Sequence, residues 1–436
     1  MRLAGKCRVK LAVNPLPLLS SLTHPWRLLA AAMLLVGTPL AHATTPSGSG
    51  SDLVEVVLQA PALRAAAARV EAASARLGSA GRLPDPQIEG MASQMDGPMG
   101  EESDMWELTL RQPLPKRGER AADRARAQAV ADMARAELAA MAGEMAAETA
   151  MALAEAEGAE RRLKLLRTQV ERLDAVLTSL NVRLSTGGTG RLADRLTVQT
   201  RIAAMELMLQ EEMQMAEDAR AGARGRLGLG PDASLPAYVA PAPEVIRDGV
   251  APATLVAQAR AREAAAMVGM ARASARPMTA LGLRLERERT RMGNEDIVGL
   301  AFMSEIPWRS RGYARAEARA AEAERDAAQS DAAAVGHRVS ALLSRVARAQ
   351  RLAETARRLS TETLSRLRAE YDAMIGTAGV AAMGQSTIFE VVELLEKETD
   401  AETQVIAAET AFRVASAELW RFAPADLFQL PTKDTP

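Results

Sequence analysis

The chain has 436 residues, 48% hydrophobic but only 3% aromatic, with 54 Lys+Arg against 55 Asp+Glu and a formal charge of −1. One cysteine, Cys7, and three histidines, His24, His42 and His337, cannot supply a His/Cys metal cluster, and they make a Ser/His/Asp triad improbable. The composition therefore argues against an enzyme, a cofactor or a metal centre, and the near-zero charge argues against nucleic acid as a partner.

Residues 1–43 read as an export signal. Arg2, Lys6, Arg8, Lys10 and Arg27 make a basic region with no acidic residue, residues 28–37 are an apolar core, and Ala41-His42-Ala43 is a small-x-small cleavage site. An apolar run of that length is too short to span a bilayer. Removing these five basic residues leaves 49 Lys+Arg against 55 Asp+Glu, a net charge of −6, and removes Cys7. A lipoprotein signal needs a small residue just before its cysteine, and Lys6 stands there before Cys7, so the sequence shows no cysteine suited to a lipid anchor and leaves that question open. His337, between Gly336 and Arg338, reads as a solvated or packed helix residue.

A small-residue linker over 44–51 leads into a first unit at 52–228. It opens with a helix over 52–82, capped by Asp52 and stopped by Gly81 and Pro84. A β-hairpin follows over 86–112. Trp106, Leu108 and Leu110 share one strand face and Glu107, Thr109 and Arg111 the other, while residues 96–103 are turn-rich. Residues 116–184 are dominated by strong helix formers with no proline, enough for a helix of roughly 100 Å. A Gly-rich break at 185–190 precedes a return helix over 191–227.

A Pro-rich linker over 229–252 separates this unit from a second with the same order at 253–422. That order is a helix at 253–275, a hairpin at 278–307, a long helix at 312–372, a Gly-rich break at 376–384 and a return helix at 386–422. A tail over 423–436 ends the chain. Leu281, Leu283 and Leu285 lie opposite Gly282, Arg284 and Glu286, and residues 287–296 read as a polar loop. The two units are linked at a fixed offset: Pro113 with Pro307, Arg117 with Arg311 and Gly118 with Gly312, each 194 residues apart. From the lengths, the helix at 191–227 is expected to continue end to end into that at 253–275, and 52–82 into 386–422.

The fold class expected is mainly α with a small β part. Four strands of tilted transmembrane length, with charge on one face, cannot close around a wet lumen, and an open edge cannot sit in lipid. Closure requires several chains, and three give twelve strands. Trp106 and Trp308 suit interfacial anchors. A half-exposed sheet in a soluble protein shows the same alternation and stays open as an alternative.

Leu83-Pro84-Asp85-Pro86, Gln112-Pro113-Leu114 leading to Arg117-Gly118, and Ile306-Pro307-Trp308 leading to Arg311-Gly312 resemble motifs of the TolC-like outer-membrane factor family, over residues 52–422. The general look is similar to its heavy-metal (CzcC/CusC-like) branch. The resemblance implies a homotrimer in the outer membrane: a twelve-stranded β-barrel continued by a trimeric α-barrel of helical hairpins across the periplasm. It also implies a periplasmic adaptor and an inner-membrane pump of the RND type as partners, outer-membrane lipid around the barrel, and passive exit of a heavy-metal cation or small toxic compound. The barrel–tunnel junction would comprise Pro113, Arg117, Gly118, Pro307, Arg311 and Gly312. Asp194, Arg195, Tyr371, Asp372 and Glu390 are the candidates for an aperture gate. Met91, Met95, Met99 and Met105 fit flexible packing better than soft-metal handling. The alternatives are the periplasmic adaptor of such a pump, which should carry one helical hairpin and a larger β-domain, or a structural coiled-coil rod, which should show a sustained heptad.

Overall fold

The computed structural model describes residues 50–96, 102–186, 192–290, 293–382 and 385–428. The expected leader, Met99, the Gly-rich segment 187–190 and the end of the tail lie outside them. Helices α1 (Gly50–Leu58) and α2 (Pro61–Ser79) replace the single helix expected over 52–82. Pro61 has no N–H to donate and sits in the first turn of α2, so the helix divides before it.

Strands β1 (Gln87–Asp96), β2 (Glu102–Leu114), β3 (Met278–Thr290) and β4 (Gly293–Glu305) form one antiparallel sheet in chain order. The second hairpin corrects the expected polar loop: Arg287 pairs with Asp296, Glu288 with Glu295 and Arg289 with Asn294, so these polar residues extend the strands. The two hairpins join through β2 and β3, with Leu108 opposite Leu285 and Leu110 opposite Leu283.

The remaining elements are α3 (Glu119–Ser185), α4 (Leu192–Leu227), α5 (Pro243–Asp248), α6 (Pro252–Ser274), α7 (Ser310–Ala382) and α8 (Gln385–Ala417), then short 3₁₀ turns at Glu418–Phe422 and Ala425–Phe428. Helix α5 falls inside the linker expected to be irregular. Helix α7 runs through Gly376 and Gly379, where a break was expected, because two isolated glycines lower helix stability by only about 1 kcal/mol each and tertiary context overrides that. At 67 and 73 residues, α3 and α7 are about 100 and 110 Å long.

The end-to-end pairing of the short helices also differs from expectation. Helix α3 packs against α2, α4, α6 and α8, whereas α7 packs mainly against α6 and α8. Gly228, just after α4, touches Pro61 at the start of α2, and Gly249, just before α6, touches Pro424, just after α8. So α4 continues into α2, and α8 into α6. Each return helix meets the opening helix of its own unit, because both flank the same long helix. Among the described residues the result is a wall one helix thick.

Two apolar clusters hold it. The larger joins α1, α2, mid-α3, the linker and the C-terminal turns around Leu53, Val57, Ala146, Leu419, Trp420 and Phe428. The smaller lies at the end far from the sheet: Leu173, Val176 and Leu180 of α3, Val198, Ile202 and Met205 of α4, and Val391, Val392 and Leu395 of α8. Alanine dominates the buried face of α3, which lets helices approach closely. Gly158 is one such contact, where an added Cβ would run into the Thr410 side chain.

Candidate functional site: a two-faced sheet and a clamped helical end

Residues directly opposite in an antiparallel ladder share a face. One face of the sheet carries Ile88, Leu110, Leu283 and Leu300 in one row, then Gly90, Leu108, Leu285 and Val298 in the next. These side chains face outward unpartnered: Ile88 is 71% exposed and Leu300 92%. The next row carries Ala92, Trp106, Arg287 and Asp296, with the Arg287 guanidinium 5.7 Å from the Trp106 ring centroid and Arg287 paired to Asp296. The charges thus appear where the apolar rows end.

The opposite face is wet. Arg111 donates a bidentate pair of hydrogen bonds to Glu89 at 3.0 and 2.9 Å, and Arg284 bridges Glu107 at 3.0 Å and Glu286 at 2.9 Å. The register also places Glu288, Glu295 and Glu305 on this face, so six carboxylates stand against two arginines. Met91 and Met105 lie there too, and Met91 is exposed, so the packing role expected for it does not hold. Met205, by contrast, is buried in the far cluster. The side chain of Met95 lies outside the description.

The two junction sets converge on the end of α6. Gly118 adopts φ +89°, a left-handed conformation that a β-carbon disfavours, and turns the chain from β2 into α3. The Arg117 carbonyl accepts a 2.6 Å hydrogen bond from Arg276, Lys116 Nζ donates to the Ser274 carbonyl at 3.0 Å, and the Glu119 carboxylate accepts from the Lys116 N–H at 2.7 Å. Pro113 follows the last residue pair to β1, Gln87 with Arg111, so its missing N–H costs that ladder nothing. Pro307 follows β4, and Arg311 lines a groove with Ala271 and Arg272 of α6 and with Ala275 just after it. Gly312 does not repeat the turn of Gly118: α7 starts two residues earlier, and Gly312 lies inside its first turn.

At the far end the aperture candidates surround the smaller apolar cluster. Asp194, in the first turn of α4, is 3% exposed, Arg195 is half-buried, Tyr371 packs on the cluster and Glu390 is exposed. The side chain of Asp372 lies outside the description. A clamp that the sequence did not reveal sits directly beside them. Glu398 of α8, its side chain 4% exposed, accepts from Arg172 of α3 at 2.6 Å and from Arg368 of α7 at 2.8 Å. Arg368 also pairs with Glu402, and these hydrogen bonds raise its pKa further above its ordinary value. The Arg172 guanidinium lies 5.8 Å from the Tyr371 ring.

The same bracket recurs further along. Glu409 of α8 is held between Arg161 of α3 and Arg357 of α7. Burial pushes the Glu409 carboxyl up, but the two guanidiniums outweigh burial and hold it below the usual carboxylate range. One sequence signal could have found the clamp. Glu398 falls at i+7 on the apolar stripe begun by Val391 and Leu395, where a carboxylate needs a partner. Among the described residues no group of three His, Cys, Asp or Glu could hold a metal, and no helix is long and apolar enough to cross a membrane.

Residues 53–221 match the outer membrane efflux protein family. No curated protein matches the sequence. In fold the chain is similar to the outer-membrane channel OprN (TM-score 0.67, 21% identity, covering 87% of this chain and 90% of that one). It is also similar to the outer membrane protein VceC of Vibrio cholerae (0.66, 16%, 86% and 95%) and to CusC (0.63, 16%, 86% and 91%). The resemblance to the TolC-like outer-membrane factors is borne out.

Proposed function

We propose that this chain is the outer-membrane channel component of a tripartite efflux system. The observation that carries the reading is a four-stranded sheet with an exposed apolar face, a charged face and two open edges, continuous with helices about 100 Å long. Three copies join β4 of one to β1 of the next and close twelve strands into a barrel in the outer membrane, apolar rows towards lipid and carboxylates towards the lumen. Below it, the helical walls join into a tunnel through the periplasm. Leu196 and Leu207, exposed on the side of α4 turned away from Val198, Ile202 and Met205, meet the neighbouring protomer. The larger cluster, with its C-terminal turns, belts the outside.

The protein supplies a duct and no catalysis. A periplasmic adaptor docks at the far end, and an inner-membrane pump delivers substrate: a heavy-metal cation or a small toxic compound, with the acidic lumen favouring cations. Opening requires the α7–α8 hairpin to move away from α3. That breaks Arg172–Glu398 and exposes the apolar cluster, with Asp194, Arg195, Tyr371, Asp372 and Glu390 around the mouth. The adaptor's contacts compensate for that loss.

The test is single-channel conductance of the purified protein in planar bilayers. Long-lived low-conductance insertions are expected from wild type, with a larger conductance from Glu398→Gln. A protein that never inserts refutes the channel reading. An adaptor identity fails on the two long helical hairpins and the small sheet.

A further inference from the structure

Helix α7 starts against its own dipole. The positive N-terminal end of a helix favours Asp or Glu, and α3 follows that rule with Glu119. Helix α7 has no acidic residue in its first turn and carries Arg311, Arg315 and Arg319 in its first three turns. These three line a groove of about 380 Å³ with Ala271 and Arg272 of α6 and Ala275 just after it, in which the one carboxylate, Glu322, is paired to Arg272 at 3.1 Å. Arg311, Arg315 and Arg319 have no acidic partner among the described residues. Glu317 is near in sequence but lies about half a turn from Arg315.

The groove can be assigned to one face of the wall. On α7, Asp331, Val335 and Arg338 line a groove shared with Arg260 of α6, and a second groove, on the other side of α3, is closed by Ala425 and Phe428. Arg315 and Arg311 precede Asp331 by 16 and 20 residues, which places them roughly opposite it around the helix. They therefore share the face of the C-terminal turns, which under the proposed function is the outside of the tunnel. The groove begins within a turn of Trp308, 84% exposed, in the segment where β4 leaves the bilayer. Four guanidiniums below an exposed tryptophan, outside a barrel at the membrane boundary, match an anionic phosphate at headgroup depth.

We infer that the α6–α7 groove binds the phosphate headgroup of an anionic phospholipid in the periplasmic leaflet, held by Arg311, Arg315 and Arg319 with Arg272. The inference rests on the outer-membrane reading. The lipid neutralises the mis-signed helix end and ties the junction of the second unit to the bilayer, the task that Glu119, Lys116 and Arg276 perform internally in the first.

The test places the assembled protein in nanodiscs of phosphatidylcholine, with or without phosphatidylglycerol, and reads retained lipid by native mass spectrometry and the melting temperature. Wild type is expected to retain phosphatidylglycerol and to melt higher in its presence. Arg311→Gln/Arg315→Gln/Arg319→Gln should lose that preference, by roughly fivefold per guanidinium, while Arg338→Gln on the other face keeps it. Equal retention by wild type and the triple variant overturns the inference, and so does equal stabilisation by millimolar inorganic phosphate without anionic lipid. Conductance of the same samples separates the two claims. A triple variant that conducts normally yet has lost lipid preference supports both, and one that conducts with preference unchanged sinks the lipid site alone.

Discussion

Helices α3 and α7 occupy corresponding places in the two units and have nearly the same length, yet they are built differently. Helix α3 is buried on several sides, with alanine at most contact positions. Helix α7 buries one narrow seam, Ala314, Ala321, Ala328, Val335 and Leu342 at seven-residue steps and then Val346, Ala353 and Ser360 after a step of four, and leaves most of its other described residues exposed or half-buried. A seven-residue repeat makes one stripe, so α7 is a coiled-coil partner on one side only. The difference teaches where the wall ends: α3 is finished within the chain, while α7 and α4 are edges that, under the proposed function, meet another protomer.

That comparison can be broken in several ways. The largest effect is expected at an edge. Leu196→Glu/Leu207→Glu should abolish the assembly while helix content, read by circular dichroism, stays unchanged; an intact oligomer would remove α4 from the interface. Next, Ala150→Leu in fully buried α3 should cost about 1–3 kcal/mol by overpacking, while Ala333→Leu on exposed α7 should stay within about 0.5 kcal/mol. Equal costs in thermal unfolding would erase the distinction.

Glu398→Gln comes third, at about 1–2 kcal/mol, because its two arginines are partly exposed and rehydrate. The smallest effect is a pH dependence at Glu409. Its folded pKa lies below the ordinary 4.5, so the stability it adds is present above that value and is lost as pH falls through the folded pKa. Melting curves of wild type and Glu409→Gln should therefore converge as the pH is lowered through the acid range. A constant difference would show that the bracket contributes no charge pairing.

Much of this was legible in the sequence. Two hairpins, two long helices and two return helices follow from alternation, helix formers and glycine, because each is a local pattern. The seven-residue seam in the first half of α7 was also there to be read, but alanine seams are weak against an alanine-rich background. The end-to-end order of α4 with α2 and of α8 with α6 was not legible from length, since lengths match equally well in the wrong pairing. Pro61 could have divided the first helix. The Arg172–Glu398–Arg368 clamp joins residues 226 and 30 positions apart, so the apolar stripe of α8 could show that Glu398 needs a partner but not which residues supply it. The difference between Gly118 and Gly312 shows the same limit: identical residues at matched positions, with only one needed for a turn.

The central claim is that the open sheet and the unfinished helical edges are completed by two further copies of the chain. Native mass spectrometry of the protein extracted from outer membranes tests this most directly. The account predicts a particle of three chains that survives gentle detergent, whereas a single chain with its sheet edges open, or any other copy number, would contradict it.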